Sequence, residues 1–428
     1  MVKKFNFFHS FFVRQTLLIK GRYVMIAPFL TLKFIREKIM AGRNHLYIPG
    51  PTNVPNEVLN AMHVPMEDHR SPIFPKLFAP LLEDLKKVFG TTTGQAFIFP
   101  ATGTAGWEVA LTNVLNQGDK VLIYRFGQFA HLWANMATRL GFEVELHEET
   151  WGKGVPLDKL EARLKEDTAH EIKAVLATHN ETSTGVTSDV AGMRKALDAA
   201  NHPAFLFVDG VSSIASIEFK MDEWGVDAVI SGSQKGFMLP AGGAFLGFSA
   251  KALKAAETST FPRCFLDLKD QITNNATGYT PYTPNLPILY GLRKSLDLLF
   301  AEGLENVYAR HFRLGEGVRR AIAAWGLTTC AQDGFHSNTV TAVVVPADKD
   351  AREVISTAFN RYNISLGGGL SEVMGKVFRI GHMGDMNDVS MLGAIAGAEM
   401  AMLDCGFDIK AGSGVGAAIE YYRSTAAK

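Results

Sequence analysis

Two ionisable residues stand at the ends of apolar runs. Asp209 closes "AFLFVDG" (204–210), and Lys235 follows "VDAVISG" (226–232) inside the small polar turn "GSQKG". Short runs that are apolar at consecutive positions and bounded by turn residues read as strands buried on both faces. If both belong to one open sheet, a carboxylate and an amine meet at its carboxyl edge, where such sheets place ligands. A carboxylate buried beside a heteroaromatic nitrogen keeps that nitrogen protonated. A lysine held among apolar or cationic groups loses basicity and becomes a nucleophile toward carbonyls.

Other polar clusters fall at strand ends. "ATGTAG" (101–106) follows an apolar run and opens a helical stretch, so its amides and hydroxyls suit a phosphate at a helix N-terminus. Thr102 alone would serve equally as a plain N-cap. The stretch is neither a Walker loop nor GxGxxG. "THNETSTG" (178–185) gathers more polar side chains than a buried strand end needs, for a ligand or for capping and turn formation. "FGQF" (126–129) supplies an aromatic that could stack on a flat ring or pack the core. A phosphate cradle, a stacking ring, an aspartate for a ring nitrogen and a Schiff-base lysine together describe a site for pyridoxal 5'-phosphate.

The elements that must position these residues are legible as a series. Strands are expected at 95–101, 119–124, 142–147, 172–179, 204–210, 226–232 and 243–249. Helices are expected from about Gly103 (with Trp107, Ala110, Leu111 and Val114 at helical spacing), at 129–141 and at 190–201. Doubly apolar strands alternating with helices predict a mostly parallel, seven-stranded α/β sheet covered on both faces. After about residue 286 the pattern changes. Two long helices (286–303 and 304–326), strands at 339–346 and 377–384 and a helix at 388–406 predict a smaller C-terminal α+β domain. The expected boundaries are 41–300 and 301–428. "SLGGGLSEVMG" (365–375) reads as a flexible loop.

Composition narrows the partners. Lys+Arg and Asp+Glu are equal at 43 each, which gives no field for nucleic acid or an anionic membrane and favours a small-molecule ligand. Three scattered cysteines fit neither a disulfide framework nor a zinc site, and no metal is expected. Residues 1–40 are basic, aromatic and without an acid before Glu37. They read as translated upstream sequence or an organellar presequence, outside the fold in either case. Charges break every apolar run well short of the ~20 residues of a membrane span. A cytoplasmic enzyme is expected, or an organellar one if the presequence is real.

The stretches "GRNHLYIPGPTNVP" (42–55), "EDHRSP" (67–72), "HNETSTGVTSD" (179–189), "MDEWGVDAVISGSQKG" (221–236), "YTPYTPNLPILYGLR" (279–293) and "FRIGHMGD" (378–385) occur in this order. They resemble the class V aminotransferases, a family of fold-type I pyridoxal phosphate enzymes, over roughly residues 42–420. The resemblance implies that Lys235 forms the Schiff base, Asp209 pairs with the pyridine nitrogen and Phe129 stacks on the ring. It implies that Gly103, Thr104 and Gln234 hold the phosphate and that Thr182 bonds the ring-hydroxyl side. Tyr282 and Thr283 would reach the cofactor phosphate of a second subunit, which implies a homodimer with shared sites. Ser213 and Arg379 would handle substrate, Arg379 as a bidentate carboxylate clamp. His69 and Arg70 would enter from the neighbouring subunit. The implied reaction is transamination of an amino acid with a 2-oxo acid, L-serine with glyoxylate, giving hydroxypyruvate and glycine. Alanine or asparagine as donor is the nearest alternative. A pyridoxal phosphate lyase or desulfurase, and a cofactor-binding interaction protein, are the readings from other classes.

Overall fold

The computed structural model describes residues 42–426, and before them 16–19 and 22–25. Two compact units are distinguished, Met1–Arg43 and Asn44–Lys428. In the first, Thr16–Ile19 and Arg22–Met25 form an antiparallel hairpin. The rest of the stretch read as a presequence or upstream translation lies outside the described residues.

The second unit is built on a seven-stranded sheet. In spatial order its strands are Gln95–Phe99, Ala244–Phe248, Ala228–Gly232, Phe205–Asp209, Ile172–Thr178, Lys120–Arg125 and Glu143–Glu148. Ala244–Phe248 runs antiparallel to both neighbours, and the other pairings are parallel. The alternation of side chains explains why the central runs are apolar almost throughout. Leu206 and Val208 point into one core and Phe207 into another, as do Leu122 against Val121 and Ile123. Both faces of the central strands are dry, so nearly every position there selects an apolar residue, whereas the edge strand Glu143–Glu148 is partly exposed and carries charges.

One core is closed by the helices Phe74–Phe89, Val190–Ala199 and Leu286–Glu302, the other by Gly103–Val114 and Gln128–Arg139. Helices therefore cover both faces of the sheet, and the loops after its parallel strands converge on one sheet edge. Phe99, Arg125, Thr178, Asp209 and Gly232 all end there. The parallel register pairs Asp209 with Ile230, so the turn carrying Lys235 emerges beside Asp209.

A second sheet has five strands in the order Thr328–Thr329, Val340–Val344, Val377–Gly381, Ile364–Gly368 and His45–Tyr47. Leu304–Ala324, Ala351–Tyr362, Asp388–Asp404 and Ser413–Thr425 pack their apolar sides into its core. Two features depart from the sequence reading. The glycine-rich stretch expected as a flexible loop contains the strand Ile364–Gly368, which pairs Gly367 with Arg379 and Gly368 with Phe378. Its glycines serve close approach, since a Cβ at Gly367 would lie 2.9 Å from Pro49 Cδ and 3.1 Å from Arg379 Cβ. The sheet also takes a parallel strand, His45–Tyr47, from far upstream.

That upstream strand leads directly over Lys235. The Asn53 side chain bonds both backbone groups of Leu46 and turns the chain back. Thr52 then ties to the lysine turn, its N–H donating to the Gln234 carbonyl at 3.1 Å and its hydroxyl to the Lys235 carbonyl at 3.2 Å. Gly381 supports the same segment from the other side. A Cβ there would sit 2.3 Å from the Ile48 carbonyl oxygen and 2.4 Å from its carbon. Both contacts are to backbone, which cannot rotate away. Gly381→Ala is therefore expected to destabilise the protein by about 1–3 kcal/mol, as overpacking does. An unchanged denaturant midpoint would contradict this packing.

Candidate active site

A cavity of about 180 Å³ opens at the carboxyl edge of the large sheet. Asp209 and Lys235 line it from adjacent parallel strands, both buried. The Asp209 carboxylate accepts one hydrogen bond from the Val211 N–H at 2.9 Å. Burial pushes its pKa up to about 7; the Val211 N–H opposes this and the charge of Glu181 adds to it. Lys235 donates to the Pro49 carbonyl oxygen. Burial pushes its amine down to about 8, the Arg379 charge adds to the fall, and Asp209 opposes it. The two groups thus face one cavity while each bonds a backbone partner of its own.

The helix Gly103–Val114 points its N-terminus into the cavity. Thr102 occupies the N-cap position, yet its side chain makes no capping hydrogen bond, so the plain-cap reading does not hold. Thr102, Gly103 and Thr104 all line the cavity. Gly103 is required by approach, because a Cβ would lie 2.6 Å from Val211 Cγ2. Unpaired N–H groups and the helix dipole at this end favour an anion. Gln234 lines the same space with its side-chain oxygen buried and unpaired among the described residues. The Trp107 indole also lines it, and its N–H faces the Asp209 carboxylate and favours the charged form. An orphaned buried acceptor such as the Gln234 oxygen fits a ligand that donates a hydrogen bond to it.

Phe129, on the first turn of Gln128–Arg139, and Thr182 also line the cavity. The Thr182 hydroxyl donates to Ser212 Oγ at 2.8 Å, and Ser212 donates onward to the Asn180 carbonyl at 2.8 Å. Arg379 is buried beside this group. Its Nε donates to the Gly368 carbonyl at 2.8 Å and its Nη1 to the Thr182 carbonyl at 2.9 Å, which fixes the guanidinium's orientation. Burial brings its pKa down to about 10, against the opposing charge of Glu181.

Seven of the expected residues therefore share one cavity: Lys235, Asp209, Gly103, Thr104, Phe129, Thr182 and Gln234. Arg379 lies close behind them. Ser213 does not reach the cavity. It is fully buried, and its hydroxyl is bonded to His179 Nδ1 at 2.8 Å, where burial holds that imidazole down at about 4. Ser212, one residue earlier in the turn, lines the cavity instead. His69, Arg70, Tyr282 and Thr283 also lie away from the cavity. Arg70 donates to the carbonyls of Thr280 (2.8 Å) and Pro281 (3.0 Å), so the two expected segments meet each other. Tyr282 bonds Asp270 at 2.9 Å and packs on Phe265. Trp107, Ser212, Gly50 and Pro51 are cavity residues that sequence reasoning missed. Trp107 had a signal, since it sits one helical turn beyond Gly103 and Thr104 on the same face.

The Asp209 shift gives a stability prediction for the cofactor-free chain. Its folded pKa lies above the ordinary 3.8, so the native state holds the proton more tightly than the unfolded chain does. Stability is then lost as pH rises from about 4 to about 7, and the deficit is complete above that window. Asp209→Asn removes the buried charge. It should stabilise the cofactor-free protein at pH 8 by about 1–3 kcal/mol and converge with wild type near pH 4. A destabilised variant at pH 8 would contradict the assignment.

The model of the family "Aminotransferase class-V" matches residues 45–386. A serine–glyoxylate aminotransferase of Methylorubrum extorquens is 59% identical over 388 residues, covering 89% of this chain and 96% of the relative. An L-aspartate–glyoxylate aminotransferase of Paracoccus denitrificans is 53% identical over 389 residues, covering 91% and 98%. Among solved structures, ureidoglycine–glyoxylate aminotransferase from Bacillus subtilis superposes with a TM-score of 0.83 at 28% identity, covering 90% of this chain and all of that one. The chain belongs to the class V aminotransferase family.

Proposed function

We propose that this chain transfers the amino group of L-serine to glyoxylate, giving hydroxypyruvate and glycine, with pyridoxal 5'-phosphate as cofactor and a homodimer as the working form. The observation that carries the cofactor is the pairing of Asp209 and Lys235 across one cavity whose far wall is an open helix N-terminus. The 59% identity to a serine–glyoxylate aminotransferase supports the substrates.

When bound, the cofactor supplies a protonatable ring that takes up negative charge from the substrate α-carbon. The amides of Gly103 and Thr104 would hold its phosphate, with Gln234 beside them. Phe129 would cover the ring face and Thr182 its hydroxyl side. Asp209 would keep the proton on the ring nitrogen, and the partner cation would hold the carboxylate in its charged form. Lys235, with an amine near pKa 8, is neutral often enough near physiological pH to attack a carbonyl. Its Nζ would also hold and move the substrate α-proton as general base and acid. Arg379, its plane fixed by two carbonyls, would clamp the substrate carboxylate.

His69, Arg70, Tyr282 and Thr283 would serve the cavity of a second subunit. The bonds from Arg70 to the Thr280 and Pro281 carbonyls bring the two segments together away from this chain's own cavity, which supports that reading. So does the apolar surface around them, with Met66, Ile73, Phe265 and Tyr282 exposed. No helix among the described residues is long and apolar enough to cross a membrane. All three cysteines are free, which favours a cytoplasmic setting.

The second reading is an aspartate donor, favoured by the 53% identity to an L-aspartate–glyoxylate aminotransferase. Specificity constants for serine, aspartate, alanine and asparagine, each with glyoxylate, decide between them. Serine is expected to be highest, and a higher value for aspartate would favour the second reading. Lys235→Ala should abolish both turnover and the visible band of the bound cofactor, whereas retained turnover would overturn the mechanism.

A further inference from the structure

Glu181 is a carboxylate with no exposure to solvent, and the mechanism above does not use it. It follows the strand Ile172–Thr178, yet its side chain reaches under the start of a helix 52 residues upstream. Oε2 accepts the backbone N–H of Phe129 at 3.0 Å and of Ala130 at 3.3 Å. Oε1 accepts the N–H of Ser183 at 3.0 Å and its hydroxyl at 2.6 Å. The same Ser183 oxygen accepts the N–H of Gln128 at 3.0 Å. The first three residues of the helix Gln128–Arg139 are thus capped from outside their own segment.

That helix needs an external cap. Its N-cap residue is Gly127, which has no side chain to satisfy the orphan N–H groups. Gly127 is also what admits the carboxylate. Its φ of 179° is extended backbone open to any residue, but a Cβ there would lie 2.1 Å from Glu181 Cγ and 2.2 Å from Cδ. A glycine that gives up its own capping ability makes room for a buried acid that caps in its place. The residue whose N–H that acid holds is Phe129, and Phe129 lines the cavity.

We infer that Glu181 is a positioning residue: through the amides of Phe129 and Ala130 it fixes the Phe129 ring over the cavity. This rests on the proposed reading that the ring covers a bound cofactor. Its geometry explains why a neutral amide cannot replace it. All the contacts to Glu181 are donors, and glutamine would turn an NH2 group toward either the helix amides or Ser183.

The test has one readout without the cofactor and one with it. In the cofactor-free protein, hydrogen exchange at the Phe129 and Ala130 amides should accelerate at least about tenfold in Glu181→Gln. With pyridoxal 5'-phosphate, Glu181→Gln should weaken binding about 2- to 10-fold and diminish the visible circular dichroism, and Phe129→Leu should do the same. The double variant should lose no more than Phe129→Leu alone, because the acid acts through the ring. Ser183→Ala, which frees Oε1 from its hydroxyl, should move both readouts the same way by less, and it stands in if Glu181→Gln does not fold. Unchanged exchange, or losses in binding that add in the double variant, would overturn the inference. Accelerated exchange in a chain that binds no pyridoxal 5'-phosphate would uphold the cap and instead reject the proposed cofactor.

Discussion

Two opposite charges buried at one sheet edge, each bonded to backbone rather than to the other, are the constraint on which the site depends. Asp209 and Lys235 are each driven toward neutrality by desolvation first and by neighbouring charges second. A direct ion pair would relieve both and close the cavity. The fold prevents it by setting them at the ends of parallel strands and by bringing the Pro49 carbonyl over the amine. What remains is a pair of strained groups that a ligand with a basic ring nitrogen at one end and a carbonyl at the other would satisfy together.

The surrounding charges sharpen that arrangement. Glu181 sits where it raises Asp209, and Arg379 sits where it lowers Lys235. Glu181 in turn supports the charged form of Arg379. Two acids and two bases therefore share one buried region, and the backbone fixes all four. Val211 holds Asp209, the helix amides hold Glu181, and the carbonyls of Thr182 and Gly368 hold Arg379. Such a site is pre-organised at the expense of stability, the usual relation between active-site strain and fold.

Much of this was legible in the sequence because the signals were strong and local. Strands dry on both faces must be apolar at every position, so the parallel sheet and its carboxyl edge could be read directly, and Asp209 and Lys235 with them. What escaped was set by long-range contact or single-residue orientation. Ser212 and Ser213 differ only in where a tight turn points them. Trp107 fits a core periodicity as well as a cavity face. The strand Ile364–Gly368 hides behind glycines whose purpose is close packing. Glu181 lies in a polar run whose bond partners are far upstream, and no local pattern exposes that connection.

The central claim is that Asp209 keeps a cofactor ring nitrogen protonated opposite Lys235. The most direct measurement is the 15N NMR shift of the ring nitrogen in protein loaded with labelled pyridoxal 5'-phosphate. A pyridinium shift across neutral pH, lost in Asp209→Ala, is the predicted result. A neutral pyridine shift in the wild-type protein would contradict the account.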